Sequence, residues 1–169
     1  AGNWIVSENG DAEQVMGVGV SANIFEVIDA RVAMGRAMTA SDASESAAPV
    51  VILNDELWRR RFGGDSSIIG KSIQLSNGRP QVIGIMPRGL RVPTYEESQV
   101  WAPEDPSRFI AHPTAKHVRV FRIVARLKPG VLSKAAQADV DRVNRGLQTE
   151  FPLAYGGMEA RVLPLRTAI

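Results

Sequence analysis

The sequence predicts an α+β fold in which amphipathic helices pack on one face of a mixed β-sheet. Three observations carry that expectation. The hydrophobic period switches repeatedly between two and about 3.6 along the chain. The stretch Pro49 to Pro87 reads as strand, short helix, glycine-punctuated turn and hairpin, with its boundaries marked by Asn54, Gly63-Gly64 and Asn77-Gly78. Beyond Ser133, Ala136, Val140, Val143, Leu147 and Phe151 recur at helical spacing until Pro152 ends the run.

Taken in order, Trp4 to Val6 gives a short extended signal, and Glu8-Asn9-Gly10-Asp11 is a turn cluster. Gln14 to Val20 reads as a strand with Met16, Val18 and Val20 on one face. Asn23 and Glu26, three apart, resemble a capping box opening a short helix through Ile28, with Phe25 as a core residue. Arg31 to Met38 returns as an irregular strand with Gly35-Arg36 as its turn or bulge, and Ser41 to Ala48 is a small, polar loop.

Val50 to Leu53 is a buried strand by its four consecutive apolar residues. Asn54 or Asp55 then caps a helix whose apolar face holds Leu57, Trp58 and Phe62, with Arg61 on that same face. Arg61 must reach solvent or a carboxylate, which makes it the candidate for a structural ion pair. In the hairpin that follows, a two-residue turn at Asn77-Gly78 pairs Ser76 with Arg79, Leu75 with Pro80 and Ile73 with Val82. Val82 to Met86 continues with Ile83 and Ile85 on the face opposite Val82. Gly89 to Val118 has no sustained period, although Gln99-Val100-Trp101 carries a short strand signal, with Trp101 and Tyr95 covering the core edge. Val118 to Leu127 and Met158 to Leu163 alternate as strands, and Ser133 caps the long helix between them. On that helix Asp141 and Arg145 are spaced to pair, and Gly146 predicts a close approach to a sheet.

Composition narrows the function classes. With 169 residues, 44% hydrophobic and 22% charged, the chain can form one globular core or two small lobes sharing one. Its net charge of +2, from 20 basic against 18 acidic residues, gives no electrostatic argument for a nucleic-acid or anionic-membrane partner. With no cysteine, thiolate chemistry, cysteine metal sites and disulfides are excluded.

The local candidates for chemistry each meet a simpler reading. Trp58-Arg59-Arg60-Arg61-Phe62 interleaves cations with aromatics, as a nucleic-acid contact would, but both aromatics belong to the apolar face and the cations suit the helix C-terminus. Gly64 to Ser72 imitates a phosphate loop, yet five residues separate its glycines where the motif has four, and it leads from a helix into a strand. His112 and His117, five apart, miss the helical metal-ligand spacing. Glu96-Glu97 and Glu104-Asp105 could supply an acid and a base, but nothing beside them forms a substrate pocket, so a solvated acidic loop is expected. The residues therefore point to a non-enzymatic α+β binding or structural module without cofactor or metal.

Several motifs in a fixed order take the reading further: Asn23-Ile24-Phe25, Gly35-Arg36, the Leu57-Trp58 to Phe62-Gly63 helix, Gly70-Lys71, Asn77-Gly78, Val82-Ile83-Gly84 and Leu127-Lys128-Pro129-Gly130. From about Val15 to Leu165 the chain resembles the MacB-like periplasmic core domain of ABC-type permeases related to MacB and FtsX. The resemblance implies a single extracytoplasmic domain over 1–169, inserted between the first two transmembrane helices of a permease anchored in the bacterial inner membrane. It implies a porter-like α/β lobe, expected from 15–88 with 119–165, and a smaller irregular β-containing lobe, expected from 1–14 and 89–118. The implied partners are the permease's own transmembrane helices, a separate or fused cytoplasmic ATPase, and a periplasmic protein or a permease dimer mate. Nucleic acid is not among them. The implied role is to couple cytoplasmic ATP hydrolysis to periplasmic conformational change, in efflux or mechanotransmission. A periplasmic peptide- or lipoprotein-binding module is the alternative, and nucleic-acid binding through Arg59 to Arg61 is a third reading that ranks below it.

Overall fold

The computed structural model describes residues 1–8, 11–93, 95–107 and 122–165. It divides into two compact units, Ala1–Pro106 and Ser107–Ile169. The first unit holds a seven-stranded mixed sheet. Its elements are β1 (Gly2–Glu8), β2 (Asp11–Val20), α1 (Ile24–Val27), β3 (Met34–Gly35), β4 (Val50–Leu53), α2 (Asp55–Phe62), β5 (Gln74–Leu75), β6 (Gln81–Ile85) and β7 (Val100–Pro103). The strand order is β3-β6-β4-β7-β2-β1-β5. β4 runs parallel to β6 and β2 parallel to β7, while the β1–β2, β1–β5, β3–β6 and β4–β7 pairs are antiparallel.

The sheet is apolar on both faces. Val6, Val15, Leu53, Val82 and Val100 on one face pack with Leu57 and Trp58 of α2. On the other face Val18, Ile52, Ile83 and Trp101 pack with Phe25 of α1 and with Met38. α2 therefore covers one face, and the short α1 lies against the other. All four residues of β4 are buried, as their unbroken apolar run predicts. α2 starts where Asn54 Oδ1 accepts from the Leu57 amide at 2.7 Å and ends at Gly63, whose φ of 63° is the left-handed C-cap glycine favours.

Several local expectations change. Asn23 sits at the N-cap of α1 but makes no side-chain cap bond, because its backbone (φ −91°, ψ 5°) is not extended. In the hairpin, Leu75 pairs with Gly78 and Ser72 with Gln81, so the turn is centred on Ser76-Asn77. Asn77 lacks the positive φ that a type I′ turn at Asn77-Gly78 requires, and the Ser76 amide is drawn instead to Ile5 O of β1 at 2.8 Å. β6 is bulged: the β4 pairing steps from Val51↔Val82 to Ile52↔Gly84. That extra residue turns Ile85 to the α2 face with Val82 and leaves Ile83 on the other, so Ile83 and Ile85 do not share a face. Gly84 is required there, since a Cβ would lie 2.7 Å from Arg36 O.

β1 and β7, placed by the sequence in a smaller lobe of 1–14 and 89–118, are members of the sheet. β1 pairs with β2 from Gly2 to Glu8, and β7 lies between β2 and β4. Trp101 is not at a core edge but fully buried, with its ring edge-on to Phe25 at 5.7 Å. A four-residue strand paired only with distant segments leaves little local pattern from which to read this.

The second unit contains α3 (Ser133–Glu150) and α4 (Pro152–Tyr155). Leu132, not Ser133, is the N-cap residue of α3, without a side-chain cap bond. Asp141 accepts from Gln137 Nε2 at 2.7 Å, and Gly146 has open space where a Cβ would stand, so it marks no close approach. Residues 122–127 and 158–163 form no strand; the expected strand residues 118–121 lie outside the described residues, as do Asn9 and Gly10 of the first turn. No helix among the described residues is long and apolar enough to cross a membrane.

Candidate functional site

The three consecutive arginines of α2 are each tied within the first unit. Arg59 Nε donates to both carboxylate oxygens of Asp55, one turn earlier, at 3.0 and 2.9 Å, while its guanidinium lies 5.0 Å from the Trp58 ring centroid. Arg60 pairs with Glu13 on β2 at 2.5 Å. Arg61 Nη2 donates to the backbone carbonyl of Asp11 at the start of β2. The helix thus fastens the outer end of the β1–β2 hairpin, and its cations are engaged with the protein's own acceptors.

The glycine-punctuated stretch after α2 is a 3-10 turn, Ser66–Ile68, capped by Asp65. Asp65 Oδ1 accepts the Ser67 amide at 2.8 Å, and the Gly70 amide donates to Val82 O at 2.8 Å. These amides are spent on local structure instead of converging on an anion. The hydrogen bonds from Ser67 and the nearby Lys71 charge hold the exposed Asp65 carboxyl below its ordinary range. Glu96 and Glu97 line a polar recess of about 500 Å³ with Asn54, Glu56 and Gln99, whereas Glu104 and Asp105 line a different cavity; the structure does not bring the two acidic pairs together. His112 and His117 lie outside the described residues. Among the described residues, no group of three or more histidine, aspartate and glutamate side chains could hold a metal ion.

An open cleft of about 860 Å³ lies in the first unit at the carboxyl ends of the parallel strands β2 and β7. Its floor includes Phe25, Val32 and Met38, and Glu26, Asp29 and Glu104 stand on its rim against Arg31. Asp29 has φ 59°, the single non-glycine residue among those described with a left-handed backbone. Gly19 makes room for the Glu104 side chain, because a Cβ there would meet Oε2 at 2.1 Å.

One wall of the cleft is the segment after β3, folded by Asp42. Its carboxylate accepts from Arg36 Nη1 and Nη2, each at 2.7 Å, from the Thr39 amide at 2.8 Å and from Thr39 Oγ1 at 2.7 Å. The Arg36 bonds, with Thr39, hold the Asp42 carboxyl far below the usual carboxylate range, and the same pairing raises the Arg36 guanidinium. Met38, between these anchors, is buried in the core. Sequence reasoning singled out Gly35-Arg36 but missed Asp42; the Thr39-x-x-Asp42 spacing, a capping box with aspartate in the glutamate position, was the available signal. The cleft offers an apolar floor and a carboxylate rim.

Comparison with known proteins places this architecture. A family model, the MacB-like periplasmic core domain, matches residues 2–143. The chain belongs to that family. The MacB-like fold is confirmed by solved structures: the periplasmic region of MacB from Actinobacillus actinomycetemcomitans aligns with TM-score 0.64 at 18% identity, covering 88% of this chain and 64% of that one. A permease-protein domain from Porphyromonas gingivalis aligns with TM-score 0.56 at 13% identity, covering 90% and 63%. The extracellular domain of the noncanonic ABC-type transporter YknZ from Gram-positive bacteria aligns over 60% of this chain and 50% of that one, at 19% identity and TM-score 0.48. The chain thus spans somewhat less than two thirds of the length of the MacB periplasmic region. No curated protein matches it. The MacB-like periplasmic core domain is an extracytoplasmic domain of ABC-type transporter permeases.

Proposed function

We propose that this chain is the non-catalytic extracytoplasmic domain of an ABC-type permease. It transmits conformational change between membrane helices, driven by a cytoplasmic ATPase, and the periplasmic side. The family match over residues 2–143, which includes the whole sheet-bearing unit, is the observation that carries the reading. The physical support is the core packed on both faces of the sheet. A close-packed interior has low compressibility, so a displacement applied at one edge reaches the other with little loss.

The absence of cysteine in this chain makes a direct test available. In the full-length permease, rendered cysteine-free elsewhere, cysteines placed at exposed Asn23 and Ser66 are expected to react with a membrane-impermeant maleimide from the extracytoplasmic side. Spin labels at the same sites are expected to change separation from the membrane helices when the ATPase is trapped with ATP. Labelling only from the cytoplasmic side, or label distances indifferent to nucleotide, contradicts the proposal.

The apolar floor and acidic rim of the cleft favour a second reading, a module that binds a peptide or lipoprotein segment there. Under that reading Glu26→Lys, at an exposed position on the rim, weakens binding of the partner while leaving nucleotide-dependent motion in place.

A further inference from the structure

We propose that the second unit is a peelable clasp: α3 holds residues 158–162 through a row of side-chain amides, and this strap comes away from the helix without the helix unfolding. Gln137 Nε2 donates to Ala160 O at 2.9 Å, and Gln137 Oε1 accepts from the Val162 amide at 2.6 Å. Asn144 Nδ2 and Gln148 Nε2 both donate to Met158 O, at 2.7 and 2.6 Å. The three amide residues are spaced seven and four apart, on one face of α3. At about 1.5 Å per helical residue they span ~16 Å, and five extended residues at about 3.3 Å each match that reach.

Every one of these bonds meets the strap's backbone, not its side chains, and none belongs to a strand ladder. Met158, Ala160 and Val162 are only half-buried, and Leu163 is 64% exposed. The alternating residues Glu159 and Arg161 face away and pair with each other at 2.9 Å. The strap is therefore attached by a few neutral, partly solvated hydrogen bonds and little apolar burial, whereas α3 keeps its own backbone ladder when the strap leaves.

Direction matters as much as strength. Met158 lies beside Asn144 and Gln148, and Val162 beside Gln137, near the start of α3, so the strap runs back antiparallel to the helix. The chain consequently enters α3 at Leu132 and leaves the strap after Val162 at the same end of the helix. A load that separates these two points acts on one contact at a time. It meets Gln137 first, then Asn144 and Gln148. Peeling of this kind yields at lower load than simultaneous shear of all contacts. That such a load exists rests on the permease reading above; the clasp itself does not.

Hydrogen exchange on the 169-residue chain tests the clasp alone. The Val162 amide is expected to be protected, yet to exchange faster than the amides of Val140 to Leu147. Gln137→Leu removes both of this residue's bonds to the strap and is expected to speed Val162 exchange at least about tenfold, with the α3 amides unchanged. Asn144→Leu removes a bond at the far end of the strap and leaves both Gln137 bonds in place, so it is expected to retain most of the Val162 protection, which a general loss of packing would not. Val162 exchanging together with α3 in the parent chain, or equally in parent and Gln137→Leu, overturns the clasp, as does loss of Val162 protection in Asn144→Leu with α3 intact. Should Gln137→Leu melt α3, the parent and Asn144→Leu results decide. Pulling on cysteines introduced at Val131 and Pro164 separates the two ideas: a low-force opening, lowered further by Gln137→Leu, supports peeling whether or not the permease reading stands, and its absence sinks it.

Discussion

Residues 1–106 and 107–169 meet the same physical demand, burial of apolar surface, by different means. In the first unit seven strands present apolar side chains on both faces, and every buried side chain among the described residues lies there. In the second, α3 carries an apolar stripe of comparable regularity, yet none of its eighteen residues is buried. Its tertiary bonds run instead from amide side chains to an extended backbone. Helical periodicity is therefore a statement about which residues share a face, and depth of burial depends on what that face meets.

The contrast can be attacked most strongly through the cores. Trp101→Ala, at a fully buried site between β2 and β4, is expected to cost about 3–5 kcal/mol in urea unfolding followed by circular dichroism. Leu147→Ala, half-buried on α3, should cost only about 1 kcal/mol in the same assay. Equal losses would erase the distinction between the units.

A smaller effect is expected at the edge of the sheet. Gly35 has φ 80°, and a Cβ there would lie 2.2 Å from Ile83 O, so Gly35→Ala should destabilise by about 1–3 kcal/mol. A neutral outcome would mean that the β3–β6 pairing contributes nothing to the unit. Asn54→Ala removes the single side-chain cap of α2 and should cost about 1 kcal/mol, seen as a lower urea midpoint at unchanged slope.

The smallest and most diagnostic effect concerns Asp42. Its carboxyl titrates lower in the folded state than the ordinary value of about 3.9. The Arg36–Asp42 contribution is therefore present above that value and is lost as pH falls through it toward the folded one. Asp42→Asn is expected to lower stability at pH 7 slightly and to flatten the acid limb of the stability profile between roughly pH 5 and 2. An acid limb identical to the parent's would show that the pair does not hold the cleft wall.

How much of this was legible beforehand follows the range of the interactions. Val50–Leu53, the Asn54 cap, the Gly63 stop and the extent of α3 depend on neighbours within a few residues, and the sequence reading has them nearly in place. The MacB-like family was legible through the order of its short motifs, none specific alone. What escaped was long-range. Trp101 gains its burial from β2 and β4, the Gly84 bulge turns one strand by a residue, and β1 captures Ser76 and so moves the hairpin turn. Arg61 was recognised as a cation on an apolar face, but its acceptor at Asp11, fifty residues away, leaves no mark near it in the chain.

The comparison between the units is tested most directly by native-state hydrogen exchange resolved to single amides. The account predicts that Val51 to Leu53 and Val82 to Ile85 exchange only through global unfolding of the sheet, whereas Val140 to Leu147 exchange through smaller local openings at least a hundredfold more often, which corresponds to a difference of about 2.7 kcal/mol. A single protection level shared by both sets of amides would contradict it.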